Sequence, residues 1–484
     1  MKKTNFLFAG ILALSLLASC KNEEMKGGGS DNPGEEAIAT FRIRIGGSTA
    51  ARTAASSRAI ATAEESRLTR LDLLVFDNAA SADVSKPADG ATLETISKVN
   101  LPEDGGAATA KIVTEQGKKI VVAVANNNPE GKAHFTYNNG MTWAAFKELA
   151  AEAAAVSEDD KSKIDFNLAP EVDGFLMVSD PKYMDVVAGG NNSANLSLNR
   201  LSAKVQVAVA TPLGTGTEFP AGVGVTFSDP LYLPFQYQTK VYPVAPAMSD
   251  GNSNVDDMVT ENVPRTVTDY VGGKTPDLAL FHVPGTYTLP AGEGNPGTEP
   301  DWANAKDNKV YVSENIMALA RPKRNYITSL LVKLDFANID YSDDDTGTGT
   351  GINVVYQFKT EADAKAMNAN AVIAMKGVYK DPLKADEVAK AAGADHAVVS
   401  FAKPTGYYRV DLTNRNVATL PQAYSVLRNT YYQVKLTAVN SFGWPDPDDV
   451  TDPDDGGEVG EDLIEIAAEV DIVDWVTIDQ TQEL

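Results

Sequence analysis

Residues 41–59 read FRIRIGGSTAARTAASSRA, and the first five of them alternate between apolar and basic side chains. In an extended chain Phe41, Ile43 and Ile45 fall on one side and Arg42 and Arg44 on the other, as in a strand with one buried face. The apolar phase continues backwards to residue 37. We therefore predict a half-buried β-strand over residues 37–45.

A linker of small residues follows this strand. Gly46 and Gly47 end the alternation, and Ser, Thr and Ala then lead to Ala59, with Arg52 and Arg58 as the only charged residues. Because this run has little to bury and no helix or strand period, we expect it to be accessible to proteases. A core strand on a cleavable linker can be removed, and its removal would leave an open apolar groove.

The length and composition limit the classes of protein to consider. A chain of 484 residues with 43% hydrophobic residues predicts a globular protein of two or three domains. Its formal net charge of −24 at pH 7 argues against nucleic acids and anionic membrane surfaces as partners, because phosphate binding requires a basic surface.

The N-terminus has the features of a lipoprotein signal peptide over residues 1–20. Lys2 and Lys3 precede an apolar stretch over residues 6–17, and Leu-Ala-Ser-Cys then ends at Cys20 in the pattern of a bacterial lipobox. The apolar stretch is too short to span a bilayer, so we expect lipidation of Cys20 and an anchored protein. Cys20 is the only cysteine, so no internal disulfide can form.

Further strands and helices are predicted along the chain. Near-continuous apolar runs and alternating segments predict strands over residues 71–77, 119–126, 205–209, 310–312, 329–336, 353–358 and 431–439. Helical spacing predicts helices over residues 142–156, 361–374 and 383–392. Residues 174–191 suggest a hairpin with Pro181 near its turn, residues 189–199 a domain boundary, and residues 211–300 long surface loops on a β framework.

The C-terminus repeats the pattern of the first strand. After an acidic segment over residues 445–461, which resembles a solvated linker, apolar and acidic side chains alternate from residue 464. The phase shifts at Val473, which predicts a bulge and a second strand. The main apolar positions are Ile464, Ile466, Val470, Ile472, Val476 and Ile478. Because monomers normally protect exposed edge strands, we interpret this segment as a strand offered to a partner.

No residue pattern selects an enzyme or a metal site. His134, His282 and His396 lie far apart, without the spacing of a zinc or catalytic motif. The acidic run over residues 446–455 lacks the order of an EF-hand, so a solvated linker is the better interpretation. Abundant carboxylates leave a catalytic pair open, but nothing singles one out. We expect no cofactor and no metal.

Several segments, in this order, resemble the fimbrillins of type V pili. They are the lipobox, the FRIRI strand, the linker ending at Ala59, LTRLDLLVFD, KIVVAVANN, GFLMVSDP, residues 198–209, YVSEN (residues 311–315), RNTYYQVKL (residues 428–436) and VDIVDWVTI near the C-terminus. The resemblance implies a mainly β protein with a few helices, built from two transthyretin-like β-sandwich domains whose N-terminal strand can be removed. By position it implies a propeptide over residues 21–58, domains over residues 59–198 and 199–445, and a linker with donor strands over residues 446–484.

The resemblance also implies a route of assembly. The precursor would reach the outer membrane as a lipoprotein, and an Arg-specific protease would cut between Arg58 and Ala59, or less favourably between Arg52 and Thr53. The displaced strand, with Phe41, Ile43 and Ile45, would leave with its lipid anchor. The C-terminal strand of another copy, or of a related fimbrial subunit, would take its place in an extracellular fimbrium that supports adhesion.

Two alternatives remain open at this point. The chain could be an anchor, accessory or tip subunit of the same system, which would keep its first strand or donate no C-terminal strand. It could also be a glycan-binding surface lipoprotein, since Trp302 and Trp444 lie in loop-like segments and tryptophan side chains stack on sugars.

Overall fold

The computed structural model of the chain describes residues 36–45, 59–60, 65–101, 108–127, 133–152, 154–156, 164–166, 174–216, 219–220, 223–235, 237–238, 240–244, 270–271, 285–288, 309–315, 327–368, 371–413, 422–451 and 466–476. Among these residues no helix is both long enough and apolar enough to cross a membrane.

The first half of the chain contains twelve strands and one short helix in the described residues. The strands are β1 (Glu36–Ile45), β2 (Ala59–Ile60), β3 (Leu71–Asp77), β4 (Thr92–Lys98), β5 (Ala108–Glu115), β6 (Gly117–Ala125), β7 (Ala151–Glu152), β8 (Ala154–Val156), β9 (Ile164–Phe166), β10 (Met177–Ser179), β11 (Lys182–Val186) and β12 (Asn192–Arg200), and the helix is α1 (Trp143–Lys147).

The second half contains the remaining described strands and helices. The strands are β13 (Ser202–Thr215), β14 (Thr226–Phe235), β15 (Tyr237–Gln238), β16 (Lys240–Val241), β17 (Tyr270–Val271), β18 (Gly285–Thr288), β19 (Lys309–Ser313), β20 (Ser329–Ala337), β21 (Ile352–Phe358), β22 (Val372–Tyr379), β23 (His396–Phe401), β24 (Thr405–Asp411), β25 (Thr430–Val439) and β26 (Ile466–Val476). The helices are α2 (Glu361–Ala366), α3 (Pro382–Ala392) and α4 (Pro447–Thr451), with a 3-10 turn at Gln422–Tyr424.

One large sheet forms the first part of the fold. Its strand order is β4-β3-β6-β10-β12-β1-β5, and β11 pairs with β6. The hydroxyl of Thr114 in β5 donates to the carboxylate of Glu94 in β4, so the two end strands of this order lie close together and the sheet curves around its core. The predicted strand over residues 119–126 is confirmed as β6, which is buried along most of its length.

The predicted hairpin over residues 174–191 is wrong. Strands β10 and β11 do not pair with each other; both run antiparallel to β6, beside its two ends. Pro181 interrupts this line because proline has no N–H to donate to a ladder, and the Ser179 hydroxyl accepts a hydrogen bond of 2.9 Å from the Ala123 N–H there. The turn instead lies between β11 and β12, around Gly189.

The second part of the fold packs several sheets around a separate core. One sheet has the order β18-β13-β25-β26-β2 with β19 on β13; the others have the orders β14-β20-β24 and β22-β21-β23. Their inward side chains share one large apolar cluster, which includes Val205, Leu331, Val354 and Val434. The predicted mainly β fold with a few short helices, built from packed β-sheets, is therefore confirmed.

Two predicted helices are shorter than the sequence suggested. Helix α1 ends at Lys147, although Trp143 and Phe146 are buried as expected, because Ala151 and Glu152 pair with β16. Helix α2 ends at Met367 in the left-handed conformation, and β22 begins soon after it. The third helix, α3, ends before Gly393, as the sequence predicted.

The C-terminal region also departs from the predictions. The start of the acidic segment is not a solvated linker, since Pro447 and Val450 are buried and α4 lies there. Strand β26 is one continuous strand through Val473, and its register shift lies opposite residues 436–438 instead. The bulge predicted at Val473 is therefore wrong.

Candidate functional site

The first strand is an interior strand of the large sheet. It runs parallel to β12, from the pair Ala39–Asn192 to the pair Ile45–Leu198, and antiparallel to β5, from the pair Glu36–Glu115 to the pair Ile43–Ala108. Both edges of β1 are thus hydrogen-bonded to strands that are distant from it in sequence. Its removal would break two ladders at once and leave their backbone groups without partners.

One face of β1 is fully buried, as its alternation predicted. Ala39, Phe41 and Ile43 are at most 1% exposed, whereas Ile38 is 62% exposed on the opposite face. Ile45 is only half-buried at the end of the strand. The predicted strand over residues 37–45 is confirmed, and Phe41 and Ile43 are its main apolar anchors.

We call the surface that β1 covers the first-strand seat. It consists of the facing edges of β12 and β5 and the apolar side chains beneath β1. The buried side chains that form its floor are Leu71, Leu73, Val75, Val99, Ala108, Ala110, Ile112, Val121, Ala123, Ala125, Phe175, Met177, Leu196, Leu198 and Tyr431. Tyr431 belongs to β25, so the floor extends into the second part of the fold.

A buried asparagine lies at the end of the seat that holds the N-terminal part of β1. The Asn192 amide oxygen accepts from the Val187 N–H at 3.0 Å, and its nitrogen donates to the Val187 carbonyl at 2.9 Å. The same nitrogen donates to the Ile38 carbonyl at 3.1 Å. The side chain is therefore held by its own turn and presents one donor to the strand in the seat.

The segment after the predicted cleavage point is fixed by a buried ionic cluster. The Glu65 side chain is 1% exposed and lies 3.1 Å from Lys204 Nζ and 3.3 Å from Lys309 Nζ. The Tyr311 hydroxyl donates to the same carboxylate at 2.9 Å, and Arg200 Nε donates to the Glu65 carbonyl at 2.8 Å. These contacts join residue 65 to strands β12, β13 and β19.

The cluster is deeply desolvated. Burial lowers the pKa of Arg200 to about 10, and the negative charge of Glu65 opposes this shift. Burial also lowers the pKa of Lys204. Arg200 Nη1 donates to the amide oxygen of Asn429 at 2.9 Å, which ties the cluster to the start of β25.

A second polar contact holds the residues that lead into β3. The Asn126 amide oxygen accepts from the Thr69 N–H at 2.8 Å, and its nitrogen donates to the carbonyls of Arg67 and Phe175 at 2.9 and 2.7 Å. Asn126 has a φ of 58°, a left-handed conformation that asparagine tolerates better than most residues. The polar contacts named here hold residues 65–70 through Asn126, Phe175 and strands β12, β13 and β19, and none of them involves β1.

Two of the segments that carry the fimbrillin resemblance meet in a buried ion pair. Arg428 Nε lies 2.8 Å from the carboxylate of Glu314, and the backbones of Asn315 and Val426 form a bridge beside it. Arg428 also donates to the carbonyls of Tyr242 and Pro243 at 2.9 and 3.2 Å.

The predicted donor strand is docked on its own chain. Strand β26 runs antiparallel to β25, from the pair Thr430–Asp474 to the pair Val439–Ile466, and Val470 is 4% exposed. Among the described strands β26 pairs with β25 and β2, and not with β1, β5 or β12. Ile464 and Ile478 lie outside the described residues, whereas Ile466, Ile472 and Val476 lie within β26.

Other predicted site residues lie partly outside the described chain. Cys20, Arg52, Thr53 and Arg58 are among the residues that the structure does not describe. Ala59 begins the two-residue strand β2, which runs parallel to β26 and pairs Ala59 with Trp475. The predicted cut would therefore fall next to a strand that contacts the C-terminal strand.

The sequence did not single out Glu65, Asn192 or Arg200. Each is a polar residue that no motif marks, and their partners are distant in sequence. Charged residues are rarely fully buried, which makes Glu65 and Arg200 notable. This rule can be applied only once burial is known from a structure. Among the described residues no group of three or more potential ligands could hold a metal ion, and His396 Nδ1 lies 2.9 Å from the Asp395 carboxylate.

Comparison with known protein families finds one match, at the C-terminal end of the chain. Residues 400–481, which include β24, β25 and β26, match the family model described as "Major fimbrial subunit protein type IV, Fimbrillin, C-terminal". The match confirms that the C-terminal region resembles that of fimbrillins. The sequence matches none of the curated proteins with which it was compared.

Solved structures of related description are similar over nearly the whole chain. A fimbrilin from Porphyromonas gingivalis is 16% identical, with 92% of this chain and 99% of that chain covered and a TM-score of 0.42. A cell-adhesion candidate from Bacteroides eggerthii is 14% identical, with 93% and 99% covered and a TM-score of 0.44. A C-terminally truncated tip fimbrial protein from P. gingivalis is 13% identical, with 91% and 100% covered and a TM-score of 0.36.

Proposed function

We propose that the chain is the precursor of a polymerising fimbrial subunit, in which β1 temporarily occupies a site for a strand of the next subunit. An Arg-specific protease cuts between Arg58 and Ala59, β1 leaves, and the C-terminal strand of another copy enters the first-strand seat. Cys20 carries a lipid that holds the precursor at the outer membrane until the cut. The mature subunit then lies in an extracellular fimbrium.

The position of β1 is the observation that supports this proposal most directly. The strand is paired on both edges and buried on one face, yet a run of small residues with two arginines connects it to the rest of the chain. Burial of Phe41 and Ile43 contributes roughly 1.5–3 kcal/mol each. An empty seat would lose this contribution and two ladders of hydrogen bonds, so it would favour a replacement strand.

The anchoring of residues 65–70 supports the position of the cut. The Glu65 cluster and the Asn126 contacts hold this segment through polar groups outside β1. A cut at Arg58 would therefore separate β1 from a body that keeps its own fixed entry into β3. Cuts after Arg67 or Arg70 would fall inside the anchored segment, where a protease has less access.

Limited digestion of the purified precursor with an Arg-specific protease tests the proposal. We expect N-terminal sequencing of the product to begin at Ala59, and the product to form ladders that persist in SDS without heating. The Arg58→Ala variant should lose the product that begins at Ala59, and the double variant Arg52→Ala, Arg58→Ala should lose both the cut and the ladder. Arg52→Ala alone is the matched control that should keep both. A product that begins at Ala59 but stays monomeric would contradict polymerisation.

Lipidation is tested separately from cleavage. In a bacterial host that processes lipoproteins, labelled palmitate should enter the precursor and be lost from the body of the protein after the cut. Cys20→Ala should abolish labelling and leave the protein soluble. Label retained on the fragment that begins at Ala59 would contradict an anchor at Cys20.

An anchor, accessory or tip subunit is the second candidate, and one observation favours it. Strand β26 pairs with its own chain from residue 466 to residue 474, as expected for a subunit that donates no strand. Such a subunit would stay monomeric after digestion but cap growing polymers of a related subunit. Saccharide binding that is equal before and after digestion, without polymers, would instead indicate a glycan-binding lipoprotein.

A further inference from the structure

The first-strand seat accommodates side chains of different size along its length. Position 39 holds an alanine that is completely buried, whereas positions 41 and 43 hold Phe41 and Ile43, also buried. Ala37 is also buried, but it lies outside the apolar cluster and outside the ladder with β12, which begins at Ala39. At the other end Ile45 is only half-buried. A replacement strand must therefore be small at position 39 and large at positions 41 and 43. A larger side chain at 39 would overpack the core, and a smaller one at 41 or 43 would leave a cavity.

The direction of the replacement strand follows from the edges of the seat. Strand β1 is parallel to β12 and antiparallel to β5, and these two kinds of ladder have different hydrogen-bond geometries. A strand that enters in the direction of β1 can reform the same hydrogen bonds without a shift of its neighbours. We therefore compare the C-terminal sequence with β1 in the same direction.

In that direction one register of residues 464–478 places a small side chain at position 39 and large apolar side chains at positions 41 and 43. Because alternate residues share a face of a strand, each register places three residues, two apart, at positions 39, 41 and 43. Ala468, Val470 and Ile472 give the required order of one small and two large side chains. This register places Ile466 at position 37, outside the apolar cluster, and Asp474 at position 45, the half-buried end of the strand. Shifts by two residues toward the C-terminus place Asp474 in the core, and shifts toward the N-terminus place Ala468 at position 41 or 43.

Registers that place odd-numbered residues at positions 39, 41 and 43 are excluded by the charge or the size of their side chains. Most of them would bury Glu465, Glu469 or Asp471 on the core face, and an unpaired buried carboxylate is strongly unfavourable. The remaining one would place Val473 at position 39 and Thr477 at position 43, the reverse of the required sizes.

The outer face of the seat agrees with the same register. Glu469 would take the place of Thr40, which pairs with Lys111 of β5. Lys111 is exposed, so the new strand would gain an opposite-charge pair directly across the ladder, an arrangement that stabilises antiparallel strands.

We propose that the C-terminal strand of one subunit enters the seat of the next in the direction of β1, with Ala468, Val470 and Ile472 replacing Ala39, Phe41 and Ile43. This inference rests on the proposed function, since it requires strand exchange between subunits. It also requires β26 to leave β25, because Val470 is buried in its own chain.

Engineered disulfides between subunits test the register. Cleavage after Arg58 removes Cys20, the only cysteine, so the mature subunit has no competing thiol. Position 42 pairs with Thr109 of β5, and the proposed register places Asp471 there. Facing residues of an antiparallel ladder have Cα atoms within the range that a disulfide spans. We therefore combine Thr109→Cys with Asp471→Cys in one chain.

Three control chains report other registers. Each keeps Thr109→Cys and adds Glu469→Cys or Val473→Cys for shifts of two residues, or Glu465→Cys for entry in the opposite direction with Ala468 still at position 39. After cleavage and mild oxidation, we expect non-reducing gels to show roughly tenfold more intersubunit disulfide for the 109–471 pair than for any control, because the controls lie outside disulfide geometry. Melting of each uncleaved variant verifies folding.

The outcomes separate the two proposals. Each variant is also run, before oxidation, on SDS gels without heating, which report polymers independently of disulfides. Polymers that cross-link best through one of the control pairs would overturn the register and leave the proposed function intact. Absence of polymers from the cleaved cysteine-free protein would overturn both.

Discussion

The side-chain amide of Asn192 donates a hydrogen bond of 3.1 Å to the backbone carbonyl of Ile38, a residue 154 positions earlier in the chain. The bond lies where the ladder between β1 and β12 begins. Because a slip of one residue would turn every side chain of a strand to the opposite face, a fixed donor at this end favours one register of the strand in the seat.

Substitution of Asn192 should weaken this end of the seat. Asn192→Ala removes the donor to Ile38 and both bonds to Val187, so we expect the free energy of unfolding of the precursor to fall by about 1–3 kcal/mol. Urea unfolding measures the change. Asn195, which is exposed on the same strand, provides the control: Asn195→Ala should change stability by no more than about 0.5 kcal/mol. Equal effects of the two variants would contradict a specific role for Asn192.

The large apolar side chain at the centre of β1 should dominate the stability of the seated strand. Phe41→Ala removes a fully buried ring and should lower the free energy of unfolding by about 3–5 kcal/mol. The exposed neighbour Arg42 gives a matched control, and Arg42→Ala should stay within about 0.5 kcal/mol. If β1 is replaced during assembly, Phe41→Ala should also shorten the interval between cleavage and the first SDS-resistant dimers. An unchanged interval, despite the lower stability, would argue against strand replacement as the slow step.

The Glu65 carboxylate should be essential to the anchored segment. Glu65→Gln keeps the shape of the side chain but leaves Lys204 and Arg200 without a compensating charge, and breaking a buried ion pair in this way costs about 3–5 kcal/mol. Thermal unfolding tests this expectation. The exposed pair between Glu361 and Lys365 supplies the control, since Glu361→Gln should cost no more than about 0.5 kcal/mol. Similar losses for the two glutamates would mean that the cluster is not electrostatically important.

Stability should fall at alkaline pH because tyrosines are buried. Burial raises the pKa of Tyr432 from 10.0 to about 12, so its hydroxyl stays neutral in the folded protein while it would ionise in the unfolded chain. Its contribution to stability is therefore fully present below pH 10 and is lost as the pH rises toward 12. Melting temperatures at intervals across this window measure the loss.

The variant Tyr432→Phe isolates this residue. Its hydroxyl accepts from the Leu427 N–H at 3.0 Å and donates to the Ser425 carbonyl at 3.2 Å, so the variant should be less stable at neutral pH by about 1–3 kcal/mol. Its further loss between pH 10 and 12 should be smaller than that of the natural protein. Parallel pH profiles for the two proteins would show that Tyr432 does not contribute to alkaline unfolding.

The sequence predicted those elements whose periodicity agreed with their burial. The strand at Phe41 and Ile43 alternates because one face is buried, and β6 is nearly continuous in apolar residues because both of its faces are covered. The predicted helix over residues 142–156 failed because the helix ends at Lys147 and residues 151–152 and 154–156 lie in short strands. Local spacing cannot reveal a partner such as Lys240, which is nearly ninety positions away.

The candidate site was predicted only in part for the same reason. Alternation located the buried face of β1 and the strand at Val470, but it could not show that this strand docks on β25 in its own chain. Polar residues such as Asn192 and Glu65 gain their roles from partners that are brought together by the fold. Their importance could be recognised only from the three-dimensional arrangement.

The pairing of β5 gives the molecule an internal indicator of occupancy. Among the described strands, β5 forms a backbone ladder with β1 alone, so the amide protons of residues 108–115 have no strand partner when the place beside them is vacant. Deuterium uptake by this one peptide would thus distinguish precursor, emptied subunit and filled subunit, with slow, fast and again slow exchange. A single mass-spectrometric fragment could follow fibre growth in real time, without any label on the protein.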